Sequence, residues 1–74
     1  MTTRSFTALI QRDEGGWSAL CPELDVASQG TTADDAKANL REAVELFLET
    51  ASPEEIQTRL KVEVLLSPLE VNVA

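Results

Sequence analysis

The sequence predicts an α+β domain in β-β-β-α-β order, with a mostly antiparallel sheet and one main helix on one face. Three observations carry this reading. Two alternating stretches flank a Gly15-Gly16 turn. A long amphipathic segment follows Thr32, and a further alternating stretch returns from Leu60 to Leu66. Period-two alternation marks strands, and the longer helical period marks a helix.

From Arg4 to Arg12, Phe6, Ala8 and Ile10 point one way and Ser5, Thr7 and Gln11 the other, with Leu9 the exception. Asp13-Glu14-Gly15-Gly16 reads as a turn, because glycines supply positive φ without steric cost. Trp17, Ala19 and Cys21 then share one face of a second strand, which closes an antiparallel hairpin. Pro22 interrupts that strand, since it has no N–H for a ladder. Leu24 to Gln29 reads as a short third strand ended by Gly30.

Thr32 suits a helix N-cap, with Asp35 standing in for the capping-box Glu. Asp34 and Asp35 also favour the positive helix N-terminus. The helix is expected from Ala33 to about Thr50, with Ala36, Leu40, Ala43, Val44, Phe47, Leu48 and Ala51 as its apolar stripe. Ser52-Pro53-Glu54-Glu55 starts a second, short helix reaching about Arg59. Leu60, Val62, Val64 and Leu66 then face inward on a fourth strand, and Pro68 ends it. A helix crossing between strands three and four makes them parallel through a right-handed crossover. One helix leaves a sheet face uncovered, and Leu9, Leu20 and Leu65 fall on that outer face as a contact surface.

The 74 residues make one domain, residues 1–74. A chain this short is marginal alone and draws support from disulfides, metals or association. Cys21 is the only cysteine and there is no histidine, so neither a disulfide nor a structural zinc site is expected. Association is the remaining support. The tail residues Leu69, Val71 and Val73, which alternate with Glu70 and Asn72, are the expected oligomer contact of a homodimer or higher oligomer. The lone cysteine fits a reducing cytosol. No apolar run approaches the roughly 20 residues that span a bilayer, and the N-terminus lacks a signal-peptide core, so a cytoplasmic location is expected.

The net charge is -7 and the six cations are scattered. Phosphates demand clustered Lys and Arg, so direct nucleic-acid binding is not expected. An acidic surface suits docking on a basic partner or plain solubility. Catalysis is poorly supplied: His and Tyr are absent, and Cys21 has no base to activate it. Asp13, Glu14, Glu23 and Asp25 read as a carboxylate group near one end of the hairpin. Such a group can hold a divalent cation, but no metal motif is matched. No metal and no cofactor are therefore expected. Trp17 reads either as a core anchor under the helix or as a half-exposed aromatic at an interface.

The pattern Phe6, Asp13-Glu14-Gly15-Gly16-Trp17-Ser18-Ala19, Pro22-Glu23-Leu24, Ser28-Gln29-Gly30-Thr31-Thr32, Asp35-Ala36, Asn39-Leu40, Glu42-Ala43 resembles the HicB-like antitoxins. The resemblance covers roughly residues 6 to 48. It implies a truncated ribonuclease-H-like fold and a partner, a small basic HicA-like ribonuclease toxin with a catalytic histidine. Longer relatives add a C-terminal DNA-binding domain, which this short chain is expected to lack. A glycine common in that family after the Pro-x-Leu segment is replaced by Asp25-Val26-Ala27. The expected function is thus a binding module, an antitoxin without enzymatic activity. Asp13, Glu14, Trp17, Glu23 and Asp25 are its expected partner contacts. The alternatives are an orphan homo-oligomeric domain and a metal-dependent nuclease using the same carboxylates.

Overall fold

The computed structural model describes residues 4–74. Strands β1 (Leu9–Asp13) and β2 (Gly16–Cys21) form the antiparallel hairpin, with Leu9 opposite Leu20 and Asp13 opposite Gly16. In the turn, the Gly15 N–H donates to Asp13 Oδ1 at 3.2 Å. Gly16 has φ 138°, a conformation that side chains avoid. A Cβ there would also stand 2.7 Å from the Gly30 carbonyl oxygen.

The alternation from Arg4 becomes a strand only at Leu9. Pro22 has no N–H to offer a ladder beyond Cys21. The Thr7 N–H donates to the Glu23 carboxylate, at 3.1 Å from Oε1 and 2.9 Å from Oε2. Strand β3 (Val26–Gly30) pairs antiparallel with β2, Cys21 opposite Val26 and Trp17 opposite Gly30, giving the sheet order β1-β2-β3. Leu24, expected to begin this strand, sits in the β2–β3 turn as a fully buried plug. The chain turns through Asp25 at φ 55°, a left-handed conformation that Asp tolerates and Gly adopts freely. Asp25 thus makes the turn that a glycine would otherwise make.

Helix α1 (Ala33–Thr50) starts where the capping residues place it, the Thr32 hydroxyl accepting the Asp35 N–H at 3.0 Å. Its first turns press on the end of β3. A Cβ on Gly30 would lie 2.5 Å from the Ala36 nitrogen and 2.8 Å from the Asp35 carbonyl carbon. The helix lies over β3 and β2 and reaches β1 least. Ala36 and Leu40 are buried against Ala19, Cys21 and Leu24, and Trp17, Val26, Val44 and Phe47 pack around them. Leu48, at the edge of the expected stripe, stays exposed.

Helix α2 (Pro53–Leu60) is capped by Ser52, whose hydroxyl accepts the Glu55 N–H at 3.2 Å. Its C-terminal end is tied to the sheet. Arg59 donates to the Leu24 carbonyl and to Glu55 Oε1, and its guanidinium stacks 4.6 Å from the Phe47 ring centroid. Leu60 packs on the core.

The expected fourth strand is not formed. Leu60 ends α2, and residues 61–74 run without ladder pairing among the described residues. The predicted strand parallel to β3 is therefore absent among the described residues. The reason is that period-two chemistry makes a strand only beside another strand. Arg59 and Leu60 hold the chain at the Leu24 turn, and the tail leaves from there with Leu65 and Val73 about nine-tenths exposed.

Gly30 and Gly15 contrast a close backbone contact with open space. Gly30→Ala should destabilise the domain by about 1–3 kcal/mol, because β3 and α1 must move apart. Gly15→Ala, which meets nothing within 4 Å, should change stability by no more than about 0.5 kcal/mol. Urea unfolding of both variants checks the contrast.

Candidate functional site

The sheet is an up-and-down meander, so its two turns lie at opposite ends of β2. That separates the five residues expected to touch a partner. Asp13 and Glu14 stand at the β1–β2 turn, with Trp17 just inside it; Glu23 and Asp25 stand at the β2–β3 turn. With roughly 3.3 Å per strand residue, the length of β2 puts about 17 Å between the ends. The expected single carboxylate group is thus two groups, and one cation cannot bridge them. Among the described residues, no three or more Cys, Asp or Glu side chains converge on one point where a metal could sit.

The β1–β2 end gains residues that the linear pattern did not offer. Gly16 and Gly30 touch, and Gly30 leads directly into α1, so Asp34 and Asp35 stand at the same end as Asp13 and Glu14. All four carboxylates are exposed. Asp35 is oriented by the Thr31 hydroxyl, which donates to Oδ2 at 2.8 Å. Trp17 lies on the helix side of the sheet, packed against the core and half-buried. The Arg12 guanidinium stands 5.8 Å from its ring centroid. The signal for this gathering was in the sequence: an even number of strand reversals returns β3 to the end where β1 turned.

The β2–β3 end is built differently. Glu23 is a latch between segments. Its carboxylate accepts the Thr7 N–H and the Thr7 hydroxyl, the latter at 2.8 Å, and the Cys21 thiol donates to Oε1 at 3.6 Å. Burial resists its ionisation, but the Thr7 hydroxyl and the N–H groups of Glu23 and Thr7 outweigh burial and hold its carboxyl below the ordinary Glu range. Burial pushes the Cys21 thiol up; the Leu24 N–H opposes this, and the Glu23 charge adds to it. A buried thiol held protonated is a poor nucleophile. The expected oligomer residues Leu69, Val71 and Val73 are 87%, 67% and 91% exposed, far from both turns in sequence and unpacked within the chain.

Known proteins place this chain in a family. A UPF0150 protein of Helicobacter pylori is 34% identical over 65 residues, spanning 86% of this chain and 90% of the relative. A UPF0150 protein of Synechocystis sp. is 35% identical over 69 residues, spanning 90% of this chain and 86% of its own. The chain belongs to the UPF0150 family. A second UPF0150 protein of Synechocystis sp. is 44% identical over 45 residues, 58% of this chain and 62% of the relative. No family model matches the chain, and no solved structure matches it. The first two matches span nearly the whole UPF0150 chain, so they take in β2, β3 and both helices. Among the described residues, no helix is long and apolar enough to cross a membrane.

The Glu23 latch has a pH signature. Its folded pKa is depressed below the unfolded value of about 4.3, so its stabilisation is present above that value and is lost as pH falls through the folded pKa. Glu23→Gln should therefore cost about 1 kcal/mol at neutral pH, from weakened hydrogen bonds to Thr7. The difference from the parent should shrink below the folded pKa. Urea midpoints of both proteins across an acid series measure it.

Proposed function

We propose that this UPF0150 chain is a HicB-like antitoxin, a binding module that covers and neutralises a small basic HicA-like ribonuclease. One observation carries the reading. The meander and the helix start gather Asp13, Glu14, Asp34 and Asp35 at one end of the domain, beside the half-buried Trp17 and in a chain of net charge -7. An acidic rim next to an aromatic is suited to a basic protein partner, since complementary charge speeds encounter and an aromatic anchors the contact. The residues that resemble the HicB-like pattern form the sheet and α1, the same elements that build this end.

The geometry refines the contact set. Asp13, Glu14 and Trp17 stay in it, and Asp34 and Asp35 join. Glu23 leaves it, because its carboxylate is spent on Thr7 and Cys21. Asp25 sits at the far turn and plays at most a peripheral part.

The test is capture from the native lysate at low salt by tagged protein, then co-expression of the captured species. The expected result is a small, basic, histidine-containing protein that arrests growth alone and is silenced by this chain. Asp13→Lys combined with Glu14→Lys and Asp34→Lys should weaken binding at least about tenfold by calorimetry, a loss of about 1.4 kcal/mol. Asp25→Lys should change it little. Failure to recover any basic protein from cells that express them, or rescue unaffected by the triple reversal, would overturn the proposal.

A further inference from the structure

The coverage of the sheet by α1 is lopsided. The helix covers β3 and β2 and leaves β1 with every residue exposed. Along that uncovered side runs an open groove of about 590 Å³ between residues 4–8 and α1, floored by Cys21 and Leu40 and walled by Phe6, Ala8, Val44 and Leu48. Beside it, the outer edge of β1 has no ladder partner among the described residues. On β3, by contrast, the Asn39 amide donates to the Gln29 carbonyl at 2.8 Å, and α1 overlies the strand. Both β1 and β3 are edges of the three-stranded sheet, and the β1 edge is the one beside the apolar groove.

The same chain holds an exposed segment with strand chemistry and no ladder partner among the described residues. Leu69, Val71 and Val73 alternate with Glu70 and Asn72, five residues that match the five of β1. They project from the body, and the chain has a radius of gyration of 14.4 Å and a long axis of 48 Å, against a radius of gyration of about 11 Å for a compact chain of this length. Three cations, Arg4, Lys37 and Arg41, and two carboxylates, Glu45 and Glu49, rim the apolar groove. From Val62 to Val73 the segment carries Glu63 and Glu70 and no cation.

We propose that two copies exchange these segments: Leu69–Val73 of each copy adds as a strand to the β1 edge of the other, and its apolar side chains fill that groove. In this sheet Ala8, Ile10 and Arg12 face α1, as their β2 partners Ala19 and Trp17 show. A strand added beside β1 continues that face and brings Leu69, Val71 and Val73 over Val44 and Leu48. A two-fold exchange uses each groove and each tail once and closes the assembly. It also extends a core that is small for a free-standing domain and covers one of the two sheet edges, the usual starting point for uncontrolled strand addition. The exchange is independent of the antitoxin reading, because the groove opens at the end of β1 away from Asp13 and Glu14.

Light scattering of the full chain tests it first. The expected mass is twice the 8.0 kDa of one chain. Leu69→Asp combined with Val71→Asp should halve that mass without changing the circular dichroism of the sheet and helices. Asp13→Lys with Glu14→Lys should leave the dimer intact. The second measurement uses a mixture of copies, one labelled on Leu and Val methyls and the other on backbone nitrogen. Methyl contacts from Leu69, Val71 and Val73 to the β1 amides of the other copy are expected. A one-chain mass for the parent, a dimer that survives the tail substitutions, or tail contacts confined to a single copy would each overturn the exchange.

Discussion

The approach of α1 to Gly30 is the contact on which the rest of the domain depends. The third strand passes into the helix through Thr31 and Thr32 alone, so the helix must fold back directly over the strand that leads into it. Only a residue without Cβ allows the backbone of Ala36 to come so near. That approach places Ala36 and Leu40 over Ala19 and Cys21 and so makes the core. It also brings the helix start beside the β1–β2 turn, where Gly16 packs on the Gly30 carbonyl.

Two consequences follow from one geometry. The helix axis is committed to the β3 and β2 side, so β1 is left bare. The acidic first turn of α1 is committed to the end where Asp13 and Glu14 already stand. The negative end and the apolar groove are thus separated along β1, and each can meet a different surface. The second helix serves the opposite end: Arg59 ties it to the Leu24 carbonyl and Phe47, and Glu23 ties residues 4–8 to the same turn. A core of five buried side chains is held at its margins by these polar ties. Because one tie is a carboxylate with a lowered pKa, the margin is sensitive to acid while the apolar centre is not.

Much of this was legible in the sequence because it depends on neighbours along the chain. The Gly15-Gly16 turn, the Thr32 and Ser52 caps, Pro53 at a helix start and the stripe through Ala36 and Leu40 each act within one or two turns of backbone. They set the hairpin and both helix starts where they are found. Strand ends were less legible. Arg4 to Ala8 alternates as well as Leu9 to Asp13, but its prospective partner is Pro22 and Glu23, and a side chain takes the hydrogen bond that a ladder would have taken.

Taken alone, the sequence determined a β-β-β-α meander with a capped amphipathic helix, an acidic surface and a tail that alternates like a strand. Those properties follow from composition and from periods of two and of a helical turn. Only the tertiary structure decided which acids stand together, splitting Glu23 and Asp25 from Asp13 and Glu14 and adding Asp34 and Asp35. It also decided that Leu60 closes a helix and that the tail has no ladder partner among the described residues. The physical reason is the same in both cases. Side-chain convergence and strand pairing are relations between distant segments, and a local pattern states what a segment can do without stating which neighbour it will meet.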